Sequence, residues 1–176
     1  MAARTDSLAF CKHQQFKPSK LTCILQVSCI IAYMEKVQSR SECVISNVLE
    51  ILGDKWTLLV IRDLFFFNKH EFKEFLASPE SIATNVLTDR LKRLLQNGII
   101  AEIPHPQTRT RKLYYLTEKG KDLLPILGSM AQWGAKHLPD LEAMQPLYER
   151  LRTEPKKVRQ EIHAQLNKWE KEHLKC

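Results

Sequence analysis

The sequence predicts a mainly α-helical domain that carries one small β-hairpin, which places it in the α+β class. Apolar residues recur at helical spacing along most of the chain from residue 43 onward, and two short runs rich in β-forming residues lie at 99–103 and 112–116. The chain has 176 residues, of which 44% are apolar, so it is long enough for one ordinary core and short for two. We therefore expect one domain with appendages.

The first predicted helix starts after Cys43 and stops at Gly53. One of its faces is apolar and consists of Val44, Val48, Leu49, Ile51 and Leu52. Asp54 is placed to cap the next helix, KWTLLVIRDLFFF, which is long and largely apolar and should therefore be central. A short amphipathic stretch, HEFKEFLA, then ends at the sequence SPES, because a proline disfavours helical geometry in the residue before it.

A second amphipathic helix occupies the segment IATNVLTDRLKRLLQNGII. Its apolar face consists of Leu87, Leu91, Leu94 and Leu95, and the pair Asn97-Gly98 closes it. The two β-rich runs follow, joined by PHPQTRT, whose prolines suit a loop longer than a tight two-residue turn. Thr117 then caps a helix that is expected to run from Glu118 to about His137, with a kink at Pro125.

The last predicted helix of the domain has an apolar face that is too broad for the surface of a monomer. Leu123, Leu127, Met130 and Trp133 lie on this face, and we expect the helix to pack against a partner helix. Beyond it, residues 139–176 carry two further amphipathic helices whose apolar stripe is too narrow for a second core. We predict that this helical C-terminal tail is an appendage, which serves the structure, covers a dimer or contacts another protein.

The short helix, the turn and the longer helix between residues 69 and 97 have the order of a helix-turn-helix, whose second helix fits a DNA major groove about 12 Å wide. The polar residues of its exposed N-terminal half suit base edges and are Thr84, Asn85, Thr88 and Asp89. The basic residues beside them suit phosphates and are Arg90, Lys92 and Arg93. Three basic residues of the hairpin can reach a minor groove or flanking phosphates, and these are Arg109, Arg111 and Lys112. Polar helix faces and basic loops are also common on surfaces that bind nothing, so the pattern alone leaves both interpretations open.

The charge and the cysteines narrow the class of protein. The net charge of +7 suits a polyanion such as double-stranded DNA, because each neutralised phosphate releases counterions, although many enzymes are equally basic. The 5 cysteines are scattered and form no C-x-x-C pair, so no disulfide framework, metal site or cofactor is expected. The 6 histidines show neither an H-x-x-x-H nor an H-E-x-x-H spacing, and no nucleophile motif stands out, which argues against an enzyme.

Residues 1–33 precede the regular pattern, and the sequence alone leaves their nature open. An apolar run at 21–34 follows several basic residues, as in a signal peptide, but polar residues interrupt it and no A-x-A-like cleavage site follows. The run is also shorter than the roughly eighteen residues needed to cross a bilayer. We predict an extension outside the domain, or translation that starts at Met34, in a cytoplasmic protein with no membrane partner.

Four sequence blocks carry a family resemblance. LGDKWTLLVIRDL, NVLTDRLKRLLQNGII, YYLTEKGKDLLPIL and MAQWG follow one another in that order after Cys43. They resemble the HxlR-type branch of the MarR-like winged-helix regulators, and the resemblance covers about residues 41–138. It implies a winged helix-turn-helix domain with N- and C-terminal dimerisation helices. It also implies a homodimer that binds an inverted-repeat DNA operator and regulates transcription, by default as a repressor.

Two places depart from the family pattern. Ser81-Ile82-Ala83-Thr84 stands where the family commonly has Gly-Ile-Ser-Pro, and Phe65-Phe66-Phe67-Asn68 stands where it has a glycine after the second helix. Because Ala83 cannot cap a helix with its side chain, the start of the following helix is expected to move toward Ser81.

Cys43 lies at the position of a cysteine that looks to serve as a redox or electrophile sensor in some proteins of this family. The N-terminus of a helix stabilises a thiolate, so oxidation or alkylation there could change the packing of a dimer helix. A buried small apolar side chain is the alternative. An unknown small molecule is another candidate effector, and a winged helix that binds protein instead of DNA is the alternative function.

Overall fold

Helices and one hairpin make up the computed structural model, which describes residues 41–138 and 145–174 without the side chains of Arg109 and Gln145. All of these residues fall within one compact unit, Ser39–Cys176. The predicted extension at 1–33 and the thiol of Cys176 lie outside the described residues.

Within residues 41–138, four helices precede the hairpin, namely α1 (Val44–Leu52), α2 (Lys55–Phe66), α3 (Phe72–Leu76) and α4 (Thr84–Gln96). The antiparallel strands β1 (Ile100–His105) and β2 (Thr108–Leu116) form the hairpin. The described residues after it form four more helices, namely α5 (Glu118–Lys121), α6 (Leu124–His137), α7 (Gln145–Thr153) and α8 (Pro155–His173). The predicted class, mainly helical with a small β-hairpin, is confirmed.

The junction between α1 and α2 depends on Gly53 and Asp54. Gly53 ends α1 as predicted, but its φ of −70° is right-handed, so positive φ is not the reason for a glycine here. A Cβ at Gly53 would lie 2.4 Å from the carbonyl oxygen of Leu49, which only a glycine avoids. The Asp54 side chain accepts hydrogen bonds from the backbone N–H groups of Trp56 and Thr57, at 2.9 and 3.2 Å, and caps α2 as predicted.

The end of α4 is joined tightly to the strand β1 and to α5. Gly98 has a φ of +64° and donates to Leu95 O, while Ile99 N donates to Leu94 O, the pair of bonds that closes a helix through a left-handed residue. The Thr117 hydroxyl donates to Gly98 O at 2.7 Å. A Cβ at Gly120 would lie 2.1 Å from the carbonyl oxygen of Ile99. Thr117 and Gly120, both in the block YYLTEKGKDLLPIL, therefore fasten α5 against the end of α4.

Two local predictions are wrong. Only Pro106 and Gln107 separate the strands, because the register shifts after Pro104 and residues 109–111 bulge within β2 instead of forming a long loop. Pro104 has no N–H to donate to the strand ladder, which favours an irregularity at this point. The single helix expected from Glu118 to His137 is two helices, because Pro125 stands in the first turn of α6, where a proline is tolerated.

The C-terminal tail is part of the one core. Leu151 of α7 and Val158, Ile162 and Leu166 of α8 belong to the same buried cluster as the core residues of α2 and α4. The narrow apolar stripe predicted for the tail therefore has a structural use, because it completes the core of the domain instead of forming a second one.

Aromatic stacking fastens α8 to the rest of the domain. The Trp169 ring stacks on His70, with ring centroids 3.9 Å apart, and on His173, with centroids 4.3 Å apart. The His70 Nδ1 lies 2.8 Å from the carbonyl oxygen of Tyr114, and its Nε2 lies 3.2 Å from the Asn68 amide group. His70 is buried and thus joins the loop after α2, the strand β2 and the tail.

The state of His70 makes stability depend on pH. Burial lowers the pKa of His70 below its ordinary value of 6.5, and the Tyr114 carbonyl and the Glu74 carboxylate offset this only in part, while His173 lowers it further. Because the unfolded chain then binds the proton more readily, the contribution to stability is present above about pH 6.5 and is lost as the pH falls. We expect urea unfolding to show a steeper loss of stability between about pH 7.5 and about pH 5 in the wild type than in His70→Gln.

The other described groups with lowered pKa values leave this window clear. Asp54 has a pKa below the ordinary 3.8, and Glu80, Glu118 and Glu149 have pKa values below the ordinary 4.5, so their contributions fade only at lower pH. Equal pH slopes for the wild type and His70→Gln would show that the histidine does not couple protonation to folding.

Candidate nucleic-acid interface

The helix α4 has one buried apolar face and one exposed polar face. Leu87, Leu91 and Leu94 are buried against the core. The residues that the sequence assigns to DNA are mostly exposed, and the exposed ones are Thr84, Asn85, Thr88, Asp89, Lys92 and Arg93. In the described part of the chain, the Asn85 amide and the Lys92 ammonium have no hydrogen-bond or ion-pair partner. The Thr88 hydroxyl donates to Thr84 O at 2.8 Å.

Arg90 occupies a different place from its neighbours. Its Nε lies 2.8 Å from the Asp54 carboxylate and its Nη1 lies 2.6 Å from the Asp89 carboxylate. Burial alone would raise the pKa of Asp54, but hydrogen bonds from Thr57 N–H and from Arg90 lower it below its usual value. Asp54 therefore caps α2 and holds α4 at the same time, and Arg90 positions the helix.

Arg93 also has a contact within the domain, since its Nη2 donates to the backbone oxygen of Glu50 in α1 at 3.1 Å. Of the three predicted phosphate ligands, Arg90, Lys92 and Arg93, only Lys92 has a charged group without a partner among the described residues.

A buried carboxylate holds the turn that precedes α4. Asp63 of α2 is only 3% exposed at its side chain, and its oxygens lie 2.6 Å from Arg62, 3.0 Å from Lys69 and 2.5 Å from the Ser78 hydroxyl. Arg62 also pairs with Glu80 of the turn. In the sequence, Asp63 stands out only as an aspartate among the apolar positions of KWTLLVIRDLFFF, and its partners leave no local pattern.

The start of α4 differs from the prediction. Thr84 is the first helical residue and Ala83 the N-cap, with no side-chain hydrogen bond, so the expected move of the helix start toward Ser81 is wrong. The backbone of Ser81 has a φ of +55°, and Asn68 after α2 has a φ of +51°. Ser81 stands at the first position of the expected Gly-Ile-Ser-Pro block, and Asn68 ends the segment in which a glycine was expected after the second helix. Both adopt the left-handed backbone that a glycine favours. Asparagine tolerates this conformation better than serine does.

The basic residues of the hairpin have acidic neighbours. Lys112 Nζ lies 2.5 Å from the Glu102 carboxylate across the strands, and Arg111 Nη1 lies 3.8 Å from Glu71. The hydrogen bond to Glu102 raises the pKa of Lys112. Both cations are more than half exposed, at 54% and 55%, and can turn toward another anion. The side chain of the third predicted residue, Arg109, lies outside the described part of the chain.

Two helices leave apolar faces uncovered. The face of α1 is exposed at Val44, Ile45, Val48 and Leu49, and the face of α6 is exposed at Ile126, Met130 and Trp133. Of the four predicted dimer residues, Met130 and Trp133 are thus on the surface. Leu127 is buried in the core cluster, and Leu123, just before α6, is half-buried against the same cluster.

Cys43 is an exposed free thiol at the N-cap of α1, so the alternative of a buried small apolar side chain is wrong. Among the described residues, no group of three or more potential ligands from His, Cys, Asp and Glu could hold a metal ion. None of the helices in the described ranges is long and apolar enough to span a bilayer.

The chain is similar to known proteins over this region. The model of the HxlR-like helix-turn-helix family matches residues 51–142. The uncharacterized HTH-type transcriptional regulator Rv3095 of Mycobacterium tuberculosis is 35% identical over 95 residues, which are 54% of this chain and 59% of the relative, so the chain spans little more than half of that protein. The uncharacterized HTH-type transcriptional regulator BH0655 of Halalkalibacterium halodurans is 30% identical over 60% of this chain and 93% of its own length.

A solved structure supports the fold. The crystal structure of PA1607, a candidate transcription factor, superposes with a TM-score of 0.51 at 33% identity and covers 56% of this chain and 67% of that protein. The region of likeness contains α2, α3, α4 and the hairpin, and the predicted family resemblance is confirmed.

The uncapped start of α4 gives a testable prediction. Ala83→Ser supplies a side-chain oxygen to the free N–H groups of the first turn, so the free energy of unfolding should rise by about 1 kcal/mol. Chemical denaturation followed by tryptophan fluorescence measures this. The matched control is Ala77→Ser at the exposed C-terminal end of α3, which should change stability by less than about 0.5 kcal/mol. Equal effects of the two substitutions would contradict the capping argument.

Proposed function

The chain belongs to the HxlR-like helix-turn-helix family, and on this basis we propose that it is a sequence-specific DNA-binding transcription regulator, by default a repressor. The observation that carries the proposal is the polar face of α4, where Asn85 and Lys92 are exposed and unpaired in the described part of the chain. The other side of α4 is fixed to the core by three buried leucines. A helix held in this way can enter a major groove as a rigid element.

The residues divide by the kind of DNA group that they suit. The Asn85 amide can donate and accept in one plane, which matches the major-groove edge of an adenine, and Thr84 lies beside it at the N-terminus of α4. Thr88 and Asp89 lie one turn further along the same exposed side. Lys92 provides a free ammonium for a phosphate, and Arg93 can add a second contact. Arg90 is assigned to positioning instead, since Asp54 already binds it.

The hairpin provides a second contact with DNA. Arg111 and Lys112 are exposed, and a basic side chain at a wing can enter a minor groove or bind flanking phosphates. Their carboxylate neighbours Glu71 and Glu102 would have to release them, so the wing should contribute less affinity than its charge alone suggests.

The apolar faces of α1 and α6 support a homodimer. Val44, Ile45 and Leu49 are 75%, 71% and 59% exposed, which is costly for a monomer in water. A two-fold dimer would present two copies of α4 to DNA about 34 Å apart, so the operator should be an inverted repeat.

Cys43 is a candidate sensor for an oxidant or an electrophile. Its thiol is exposed and begins the same helix α1 that carries the apolar face. With hydrogen peroxide, the thiolate would attack one peroxide oxygen, form a sulfenic acid and release hydroxide as the O–O bond breaks. A polar group at this point would change the packing of α1 in the dimer.

The second candidate function is an adaptor that binds protein instead of DNA. The same exposed apolar faces favour it, because a different protein could cover them as well as a second copy. It makes a different prediction for α4, whose polar face would then have no role.

The first prediction from the proposed function concerns DNA affinity. It is measured by fluorescence anisotropy against DNA selected for binding and against random DNA, at several salt concentrations. Asn85→Ala should weaken binding to the selected site by about 1–3 kcal/mol and leave random DNA almost unchanged. Lys92→Ala should weaken both and reduce the salt slope by about 1. The control is Lys168→Ala on the exposed side of α8. If the wild type binds no DNA even at low salt, the regulator proposal fails and the adaptor takes its place.

The second prediction concerns the oligomeric state. Ile45→Glu places a charge in the apolar face of α1 and should convert a dimer to a monomer, as measured by size-exclusion chromatography with light scattering. The control is Asn167→Glu on the exposed side of α8, which should leave the dimer intact. A wild-type monomer at micromolar concentration would contradict the proposed dimer.

The third prediction concerns oxidation. Treatment with hydrogen peroxide should change the affinity of the wild type for its DNA site, and Cys43→Ser should remove that response while it keeps the affinity of the reduced protein. A response that persists in Cys43→Ser would assign the effect to another oxidisable residue, a cysteine or a methionine such as the exposed Met130.

A further inference from the structure

A cavity of about 380 Å³ lies between α2, α6 and the tail helix α7. Its walls are mainly apolar, with Leu58 and Phe66 from α2, Ala131 and Gly134 from α6, and Leu147 and Tyr148 from α7. A volume of this size and an apolar lining with few polar groups are typical of sites for small organic molecules. The wall from α7 lies beyond residue 142, where the match to the family model ends, so the tail gives this domain a wall that the matched region does not include.

Small residues on α6 create the space. Among the described residues, the one neighbour within 4 Å of a Cβ at Gly134 is the tip of Leu138 at 3.9 Å, so their packing does not require a glycine here. Its φ is not in the left-handed region, since Gly98 is the glycine with positive φ in the described part of the chain. A glycine inside a helix costs about 1 kcal/mol relative to alanine. Gly134 therefore adds room to the cavity at a cost to the helix.

Two charged residues, Lys55 and Arg62, line the cavity. Arg62 is neutralised by Asp63 and Glu80. The ammonium of Lys55 lies over the Trp56 ring at 4.8 Å, and it has no carboxylate partner among the residues that the structure describes. The cavity thus combines an apolar volume with one uncompensated positive charge.

We propose that this cavity binds a small apolar molecule that carries one negative charge, such as an aromatic carboxylate, with its ring between Gly134 and the α7 wall and its anionic group toward Lys55. Met130 lines the cavity and also belongs to the exposed face of α6, while Lys55 follows Asp54, which holds Arg90 of α4. Occupancy could therefore change both the dimer face and the position of α4. This regulatory consequence rests on the proposed function, whereas the binding site itself does not.

The test uses two probes of the same shape, 2-naphthoate and the neutral 2-naphthylmethanol, titrated into the full chain by calorimetry without DNA. We expect saturable binding of both, with the carboxylate bound more tightly. Lys55→Gln should weaken naphthoate by up to about fivefold, the range of an exposed charge pair, and leave naphthylmethanol unchanged. Equal affinities of the wild type for the two probes would overturn the assigned role of Lys55.

The cavity itself is tested by a matched pair of glycine substitutions on α6. Gly134→Met fills the space with an adaptable side chain and should weaken both probes about tenfold or more. Gly128→Met is the control, because nothing lies within 4 Å of a Cβ at Gly128 and it does not line this cavity. Thermal melting of both variants verifies folding, and Ala131→Leu provides a second way to fill the same space.

The proposed site is supported if Gly134→Met and Ala131→Leu lose probe binding and Gly128→Met keeps it. Unchanged binding in both cavity-filling variants overturns it. If these variants also change the oligomeric state, the cavity belongs to an interface between two copies of the chain. Because these measurements contain no DNA, their failure leaves the DNA-binding proposal standing, and a failure of DNA binding leaves the cavity result standing.

Discussion

The buried carboxylate of Asp63 is the constraint on which the placement of α4 depends. An unpaired charge in a protein interior costs several kcal/mol, so Arg62, Lys69 and Ser78 must stay around it. Ser78 belongs to the turn between α3 and α4, and Arg62 reaches Glu80 in the same turn. Asp54 holds α4 at a second point through Arg90. Two aspartates thus hold α4 against α2: Asp63 fixes the turn before α4, and Asp54, the N-cap of α2, binds Arg90 in the middle of α4.

The hairpin is coupled to the same unit at the other end of α4. The left-handed Gly98 turns the chain from α4 into β1, and Thr117 at the end of β2 donates to the Gly98 carbonyl. Gly120 lets α5 approach Ile99 at a distance that no side chain allows. A change in the angle of α4 would therefore move the base of the hairpin with it. Contacts of α4 and of the hairpin with one DNA duplex would be set together and not independently.

The sequence predicts what depends on local patterns. The leucine repeat of α4, the Asp54 cap and the order of the elements are all visible from residues within about two helical turns of one another, and each agrees with the structure. Contacts between distant residues leave no such pattern. Arg90 looks like a phosphate ligand until Asp54, 36 positions earlier, is found to bind it. Trp169 looks like one position of a tail helix, whereas it stacks on His70 in the core. Leu127 fits a dimer face by spacing, but it is buried in the core cluster.

The tail explains how one small domain can present several separate surfaces. The helix α7 packs on α6, Leu127 of α6 is buried in the core cluster, and Met130 and Trp133 stay exposed. By stacking on His70, the helix α8 buries the side of the domain that bears the base of β2. Among the described residues, the surfaces that stay open include the polar face of α4, the apolar faces of α1 and α6, and the cavity between α2, α6 and α7. Since α2 and α6 border the cavity, and since α2 also holds α4 and α6 also carries an exposed apolar face, a molecule in the cavity would act on elements that both proposed interfaces share.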